Sequence, residues 1–170
     1  MQRFPFRAMG SPCEVTLAGL AASRARTLAK RLEQEIARLE RRYSRFRADS
    51  DLTRINAIAA RGGAVELDEE TAALIDYAAT CHAQSNGLFD ITAGVLRAAW
   101  RFDGTTRRLP EAATLAALCA RVGFSRLVWE RPWLRFPEPG LELDLGGIVK
   151  EYAADRLAAL AAADGARYGF

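Results

Sequence analysis

Hydrophobic and polar positions alternate through Arg3-Phe4-Pro5-Phe6-Arg7 and again through Cys13-Glu14-Val15-Thr16-Leu17, which predicts two strands. Met9-Gly10-Ser11-Pro12 lies between them and predicts a turn. The period then changes to that of a helix. Leu28, Leu32, Ile36 and Leu39 form a stripe within residues 23–42, with Ser23 as the expected N-cap and Arg38, Arg41 and Arg42 crowding the C-terminal end. A loop with two aromatics, Tyr43 and Phe46, leads to a short helix ending near Asn56, capped by Asp49 or Ser50. Ala64-Val65-Glu66-Leu67 reads as a brief strand. Asp68 caps the next helix, whose apolar face is Leu74, Ile75, Ala78, Ala79 and Cys81.

That helix ends at Asn86-Gly87, a pair suited to left-handed backbone. The strand-like run Leu88-Phe89-Asp90-Ile91-Thr92 follows. Residues 95–102 read as a helical segment closed by Asp103-Gly104, and Pro110 opens a further helix that ends at Gly123. Leu127–Glu130 and Trp133–Phe136 flank Arg131-Pro132 as a hairpin. Leu141-Glu142-Leu143-Asp144-Leu145 reads as a third strand, running into Gly146-Gly147 and a helix from Ile148 to about Ala163. Short strands and hairpins interleaved with helices predict an α+β fold. No repeat or linker interrupts the 170 residues, so a single domain spanning 1–170 is expected.

Composition narrows the chemistry. Half of the residues are hydrophobic and 26% are charged, and the net charge is only +3, so nothing points to nucleic acid. The cysteines Cys13, Cys81 and Cys119 are odd in number and far apart. They predict neither a zinc site nor a redox pair, and read as small buried thiols. The single histidine, His82, falls in a helix, which gives a Ser-His-Asp triad little support. No apolar run reaches membrane-spanning length and no signal peptide is visible, so the chain as written reads as cytoplasmic.

Four positions or segments hold candidate chemistry, and each has a plain structural reading beside the functional one. Met9 at its turn is a core plug or a contact for a flat ligand. Tyr43 and Phe46 are satellite core, or aromatics that stack on a planar heterocycle. Asp90 satisfies backbone N–H groups in a turn, or meets a ligand. Asp144-Leu145-Gly146-Gly147-Ile148-Val149-Lys150 is a tight strand-to-helix turn, or an anion site built on first-turn N–H groups and a lysine.

Taken together, Met9–Glu14, Ser44–Asn56, Gly87–Leu96 with Trp100 downstream, and Asp144–Asp155 resemble, in order and spacing, the FAD:protein FMN transferases, the ApbE-like flavin transferases. The resemblance covers almost the whole chain. It implies the ApbE-like fold and a magnesium-dependent transfer of FMN from FAD to a Thr or Ser of an acceptor flavoprotein, with release of AMP. Acceptors in this family are typically subunits of membrane redox pumps. It further implies FAD contacts at Met9, Phe46 (where relatives often have a tyrosine), Leu88, Phe89, Asp90, Asp144 and Lys150, and a magnesium ligand in the Gly147 carbonyl.

Two departures stand out. Relatives commonly show Lys-Gly-Tyr where this chain has Lys150-Glu151-Tyr152. Relatives also continue well past the position of Phe170, into a glycine-rich loop, a histidine segment and an Asp/Thr metal-binding pair. The expectation is therefore the N-terminal part of the fold, truncated at the C-terminus, with an incomplete metal site and no assignable catalytic residue. An exposed sheet edge then calls for a missing C-terminal half or a second copy as partner. A fragment, one half of a split enzyme and a non-catalytic FAD- or nucleotide-binding remnant all remain open. Many relatives are exported to the periplasm, in contrast to the cytoplasmic reading of this chain.

Overall fold

The computed structural model describes residues 1–100 and 109–169, and the expected closing turn at Asp103-Gly104 lies outside them. The chain divides into two compact units, residues 1–51 with 146–170 and residues 52–145.

In the first unit, β1 (Gln2–Ala8) and β2 (Ser11–Ala18) form an antiparallel hairpin with Gln2 opposite Leu17 and Ala8 opposite Ser11. The turn is shorter than expected. It consists of Met9 and Gly10 alone, both at positive φ (50° and 75°), the geometry that matches the twist of a two-residue hairpin. Pro12 lies inside β2, opposite Arg7. The short β6 (Tyr168–Gly169) pairs with Leu17 and Ala18 at the far end of β2. Helix α1 (Ala22–Tyr43) carries the predicted stripe. Leu28, Leu32, Ile36 and Leu39 are buried, joined by Ala25, Ala29 and Tyr43. Ser23 is not its cap; Ala21 holds that position without a side-chain hydrogen bond. Leu17 forms a core cluster with Ala25, Leu28, Ala29 and Leu32 of α1, and Leu157, Leu160 and Ala161 of α5 (Val149–Ala163) pack against it.

Glu35 joins the two helices of this unit. Its carboxylate accepts from Arg38 (2.9 Å) and from Arg156 of α5 (3.0 Å), and the Arg38 hydrogen bond above all holds its pKa down at about 2. A depressed carboxylate contributes stability above its unfolded pKa and loses it as pH falls through the folded one. The full shift corresponds to about 3 kcal/mol. Arg38 and Arg156 are 34% and 47% exposed, however, and screening reduces this to about 1–2 kcal/mol. Glu35→Gln is therefore expected to cost that much at neutral pH and to flatten the stability loss between about pH 4.5 and pH 2, as read by urea denaturation across pH.

In the second unit, β3 (Gly63–Glu66), β5 (Trp133–Phe136) and β4 (Val128–Glu130) form an antiparallel sheet with β5 in the centre. The predicted β4–β5 hairpin is present. The β3–β5 pairing, Gly63 opposite Phe136, joins segments remote in sequence that the local pattern did not connect. Leu134 and Phe136 are buried on one face. Helix α2 starts at Asp51 and runs to Ala59 (Asp51–Ala59), and Leu52, Ile55 and Ala59 are buried. Helix α3 (Glu69–Gln84) is capped as predicted, with the Asp68 carboxylate accepting from the N–H groups of Glu70 and Thr71. Asp76 on α3 accepts from Trp129 Nε1 (2.6 Å), and both Asp76 and Glu69 pair with Arg131. Helix α4 (Ala112–Cys119) buries Leu118.

Two expectations of strand fail in this unit. Residues 88–92 form bends and turns, because side chains take the local backbone donors: Ser85 Oγ accepts from Phe89 N–H and the Asp90 carboxylate from Thr92 N–H. Residues 141–145 keep the strand-like alternation, with Leu141, Leu143 and Leu145 buried, but make only an isolated parallel bridge, Glu142 to Ala93. The cysteines are also less buried than expected: Cys13 and Cys81 are half-buried and Cys119 is exposed. Among the described residues, no helix is long and apolar enough to cross a membrane.

Candidate functional site

Residues 85–94 form a built loop. Helix α3 stops because Asn86 (φ 53°) and Gly87 (φ 81°) turn the backbone left-handed, and Gly87 N–H donates to the His82 carbonyl at 2.9 Å. Ser85 Oγ accepts from Phe89 N–H at 2.9 Å. Asp90 then acts as the hub. One carboxylate oxygen accepts from Thr92 N–H (2.8 Å) and Thr92 Oγ1 (2.7 Å), and the other accepts from Phe124 N–H (2.8 Å). Thr92 Oγ1 in turn accepts from Gly123 N–H at 2.8 Å. Asp90 thus satisfies the donors of two loops at once, the arrangement that makes a half-buried carboxylate tolerable. Leu88, at the tip, is 92% exposed, while Phe89 is half-buried.

The segment carrying Asp144 lies directly alongside. Asp144 N–H donates to the Ile91 carbonyl at 2.7 Å. The Asn56 side chain on α2 acts as a surrogate strand for its neighbour: Oδ1 accepts from Leu143 N–H (2.7 Å) and Nδ2 donates to the Leu143 carbonyl (2.9 Å). Gly94 is required by this closeness, since a Cβ there would stand 2.6 Å from the Glu142 carbonyl oxygen. Phe89, Asp90 and Asp144 are therefore brought onto neighbouring backbone, though the two aspartates lie 54 positions apart in the sequence. Neither Asn56 nor Phe124 stands out in the sequence as a position that builds this site. An asparagine inside a helix is a faint hint of side-chain-to-backbone bonding, and nothing local marks Phe124.

In the first unit, Met9 and Lys150 line one apolar hollow of about 450 Å³, together with Phe6, Ile36, Ala153 and Leu157. Lys150 is exposed in the first turn of α5, whose N-terminal N–H groups and positive charge suit an anion. Gly146 and Gly147 precede it and are exposed. Phe46 sits on the loop after α1 at 85% exposure, with the Arg45 guanidinium 4.9 Å from its ring centroid. Arg47 binds Asp49 through two hydrogen bonds and holds that carboxyl below the usual range.

The donor set for a metal is sparse. Among the described residues no group of three or more His, Cys, Asp or Glu side chains could hold an ion, and no buried side-chain N or O atom lacks a partner. The Gly147 carbonyl alone does not make a magnesium site.

The fold and these two loop systems define an α+β protein that displays the exposed apolar side chains of Phe46 and Leu88 on loops and a lysine, Lys150, at a helix start. The chain belongs to the ApbE family, whose family model matches residues 9–170. It is similar to the FAD:protein FMN transferases of Salmonella typhimurium (31% identical, covering 95% of this chain and 48% of that protein) and Klebsiella pneumoniae (30% identical, covering 94% and 47%). Among solved structures it resembles the apo form of the Pseudomonas stutzeri flavinyl transferase ApbE, at 27% identity and a TM-score of 0.82. That match covers 99% of this chain and 56% of the other. The chain spans about half the length of the curated relatives it matches.

Proposed function

We propose that this chain supplies flavin-contacting surface of a FAD:protein FMN transferase. In that reaction the hydroxyl oxygen of an acceptor Thr or Ser attacks the phosphorus on the riboflavin side of the FAD pyrophosphate. The P–O bond to the AMP half breaks, AMP leaves, and the hydroxyl proton is lost. A redox-pump subunit is the acceptor type implied by the resemblance. The observation that carries the reading is the joining of Phe89-Asp90 to Asp144 by the Asp144–Ile91 hydrogen bond, which assembles two separate family segments into one surface.

Each residue has a role in this reading. In the first unit, Phe46 offers exposed apolar area to the isoalloxazine ring and Met9 packs against the flavin; in the second, Leu88 offers exposed apolar area to FAD. Phe89 and Asp90 hold the contacting loop in shape. Asp144 accepts from the ligand, and Lys150 with the α5 first turn faces the pyrophosphate. Magnesium would neutralise pyrophosphate charge when bound, with the Gly147 carbonyl as one ligand. Among the described residues, no cluster of His, Cys, Asp or Glu side chains completes that site.

FAD titration of the 170-residue chain by flavin fluorescence tests the reading, followed by assay of AMP release with a Thr-bearing acceptor peptide. Saturable binding is expected, weakened about tenfold by Phe46→Ala through loss of one stacking face. Binding without AMP release would leave a FAD-binding module. A folded chain that binds no FAD would remove the assignments to Met9, Phe46, Leu88, Asp144 and Lys150.

A further inference from the structure

The only histidine of the chain sits beneath the 85–94 loop, in the last turn of α3. Its Nδ1 lies 2.9 Å from the Phe89 carbonyl oxygen. A carbonyl accepts and does not donate, so Nδ1 carries the proton and the imidazole donates to Phe89. The ring stacks on Phe124 with centroids 4.9 Å apart and planes 22° apart. Phe124 N–H is itself held by Asp90, whose Oδ2 stands 3.9 Å from His82 Nδ1. The Cε1–Nε2 edge lies under Gly87, where a Cβ would come within 3.6 Å of Cε1. Backbone bonds close the frame, since the His82 carbonyl accepts from both Gly87 N–H and Ser85 Oγ.

We infer that His82 is the positioning residue of the Leu88–Asp90 loop, and that its Nδ1–H tautomer fixes the direction of the Phe89 carbonyl and so the outward display of Leu88. As a contribution to flavin binding this rests on the function proposed above. His82 acts by preorganising the loop, so that the loop's ordering entropy is not charged against binding.

Two measurements test this on the intact chain. With one histidine in the sequence, the ring nitrogens give one assignable pair of signals in a long-range ¹H–¹⁵N spectrum. At alkaline pH the neutral ring is expected with Nδ1 protonated and Nε2 bare, and the opposite tautomer would overturn the clamp. In FAD titrations His82→Leu is expected to weaken binding about tenfold. His82→Asn, which places an amide N–H near the position of Nδ1, is expected to restore it to within about threefold. Wild-type affinity in both variants would overturn the inference. If His82→Leu does not fold, the asparagine variant and the tautomer still decide. A wild-type chain that binds no FAD defeats the flavin reading and the binding half of this inference, while the tautomer independently upholds or overturns the clamp.

Discussion

Asp90→Ala is expected to destabilise the 52–145 unit by about 3–4 kcal/mol. Three donors converge on this carboxylate from two loops. Truncation leaves the N–H groups of Thr92 and Phe124 without their acceptor in a region where Thr92 is fully buried. Each such orphaned group costs roughly 1–3 kcal/mol. The loss propagates, because Thr92 Oγ1 is held by Asp90 while it accepts from Gly123 N–H. Asp90→Asn should cost less, about 1–2 kcal/mol, since one acceptor oxygen survives while the amide N–H₂ faces a donor. Urea denaturation of the two variants checks the order. If both kept wild-type stability and only FAD binding fell, Asp90 would be a ligand contact rather than the hub of the loop.

The second large effect falls at Gly94. Alanine there places its Cβ 2.6 Å from the Glu142 carbonyl oxygen and 3.0 Å from the carbonyl carbon. Both are backbone atoms held by the bridge between Ala93 and Glu142, so no side-chain rotation relieves the overlap. The two segments must separate, and the adjoining Asp144–Ile91 bond lengthens with them. A cost of about 2–3 kcal/mol is expected, the upper range for overpacking at a rigid position. The check is a fall in melting temperature, accompanied by faster amide exchange at Asp144. A stable Gly94→Ala variant with a protected Asp144 amide would show that the contact yields freely.

Local chemistry made much of the molecule legible. The α1 stripe, the Asp68 cap, the left-handed Asn86-Gly87 pair and the β4–β5 hairpin each arise within a few residues of chain, where periodicity and turn preferences act directly. The β3–β5 pairing was not legible, because one short strand carries no mark of which distant partner it will meet. Residues 88–92 misled for a different reason. Their apolar run has the composition of a strand, but one side chain, Asp90, competes for the backbone donors and bends the segment into turns.

The candidate site divides in the same way. The sequence by itself determined the α+β class, most element positions and, through motifs in order, the resemblance to the family that the comparisons establish. Only the tertiary structure decided that Asp90 braces the loop from within, that Asn56 stands in for a strand beside Leu143, and that His82, set aside in the sequence, clamps Phe89. These are hydrogen bonds to backbone groups between 7 and 87 residues away. A backbone acceptor is the same group at every residue, so sequence cannot single out the one a side chain will reach. Only the folded path of the chain brings the two together.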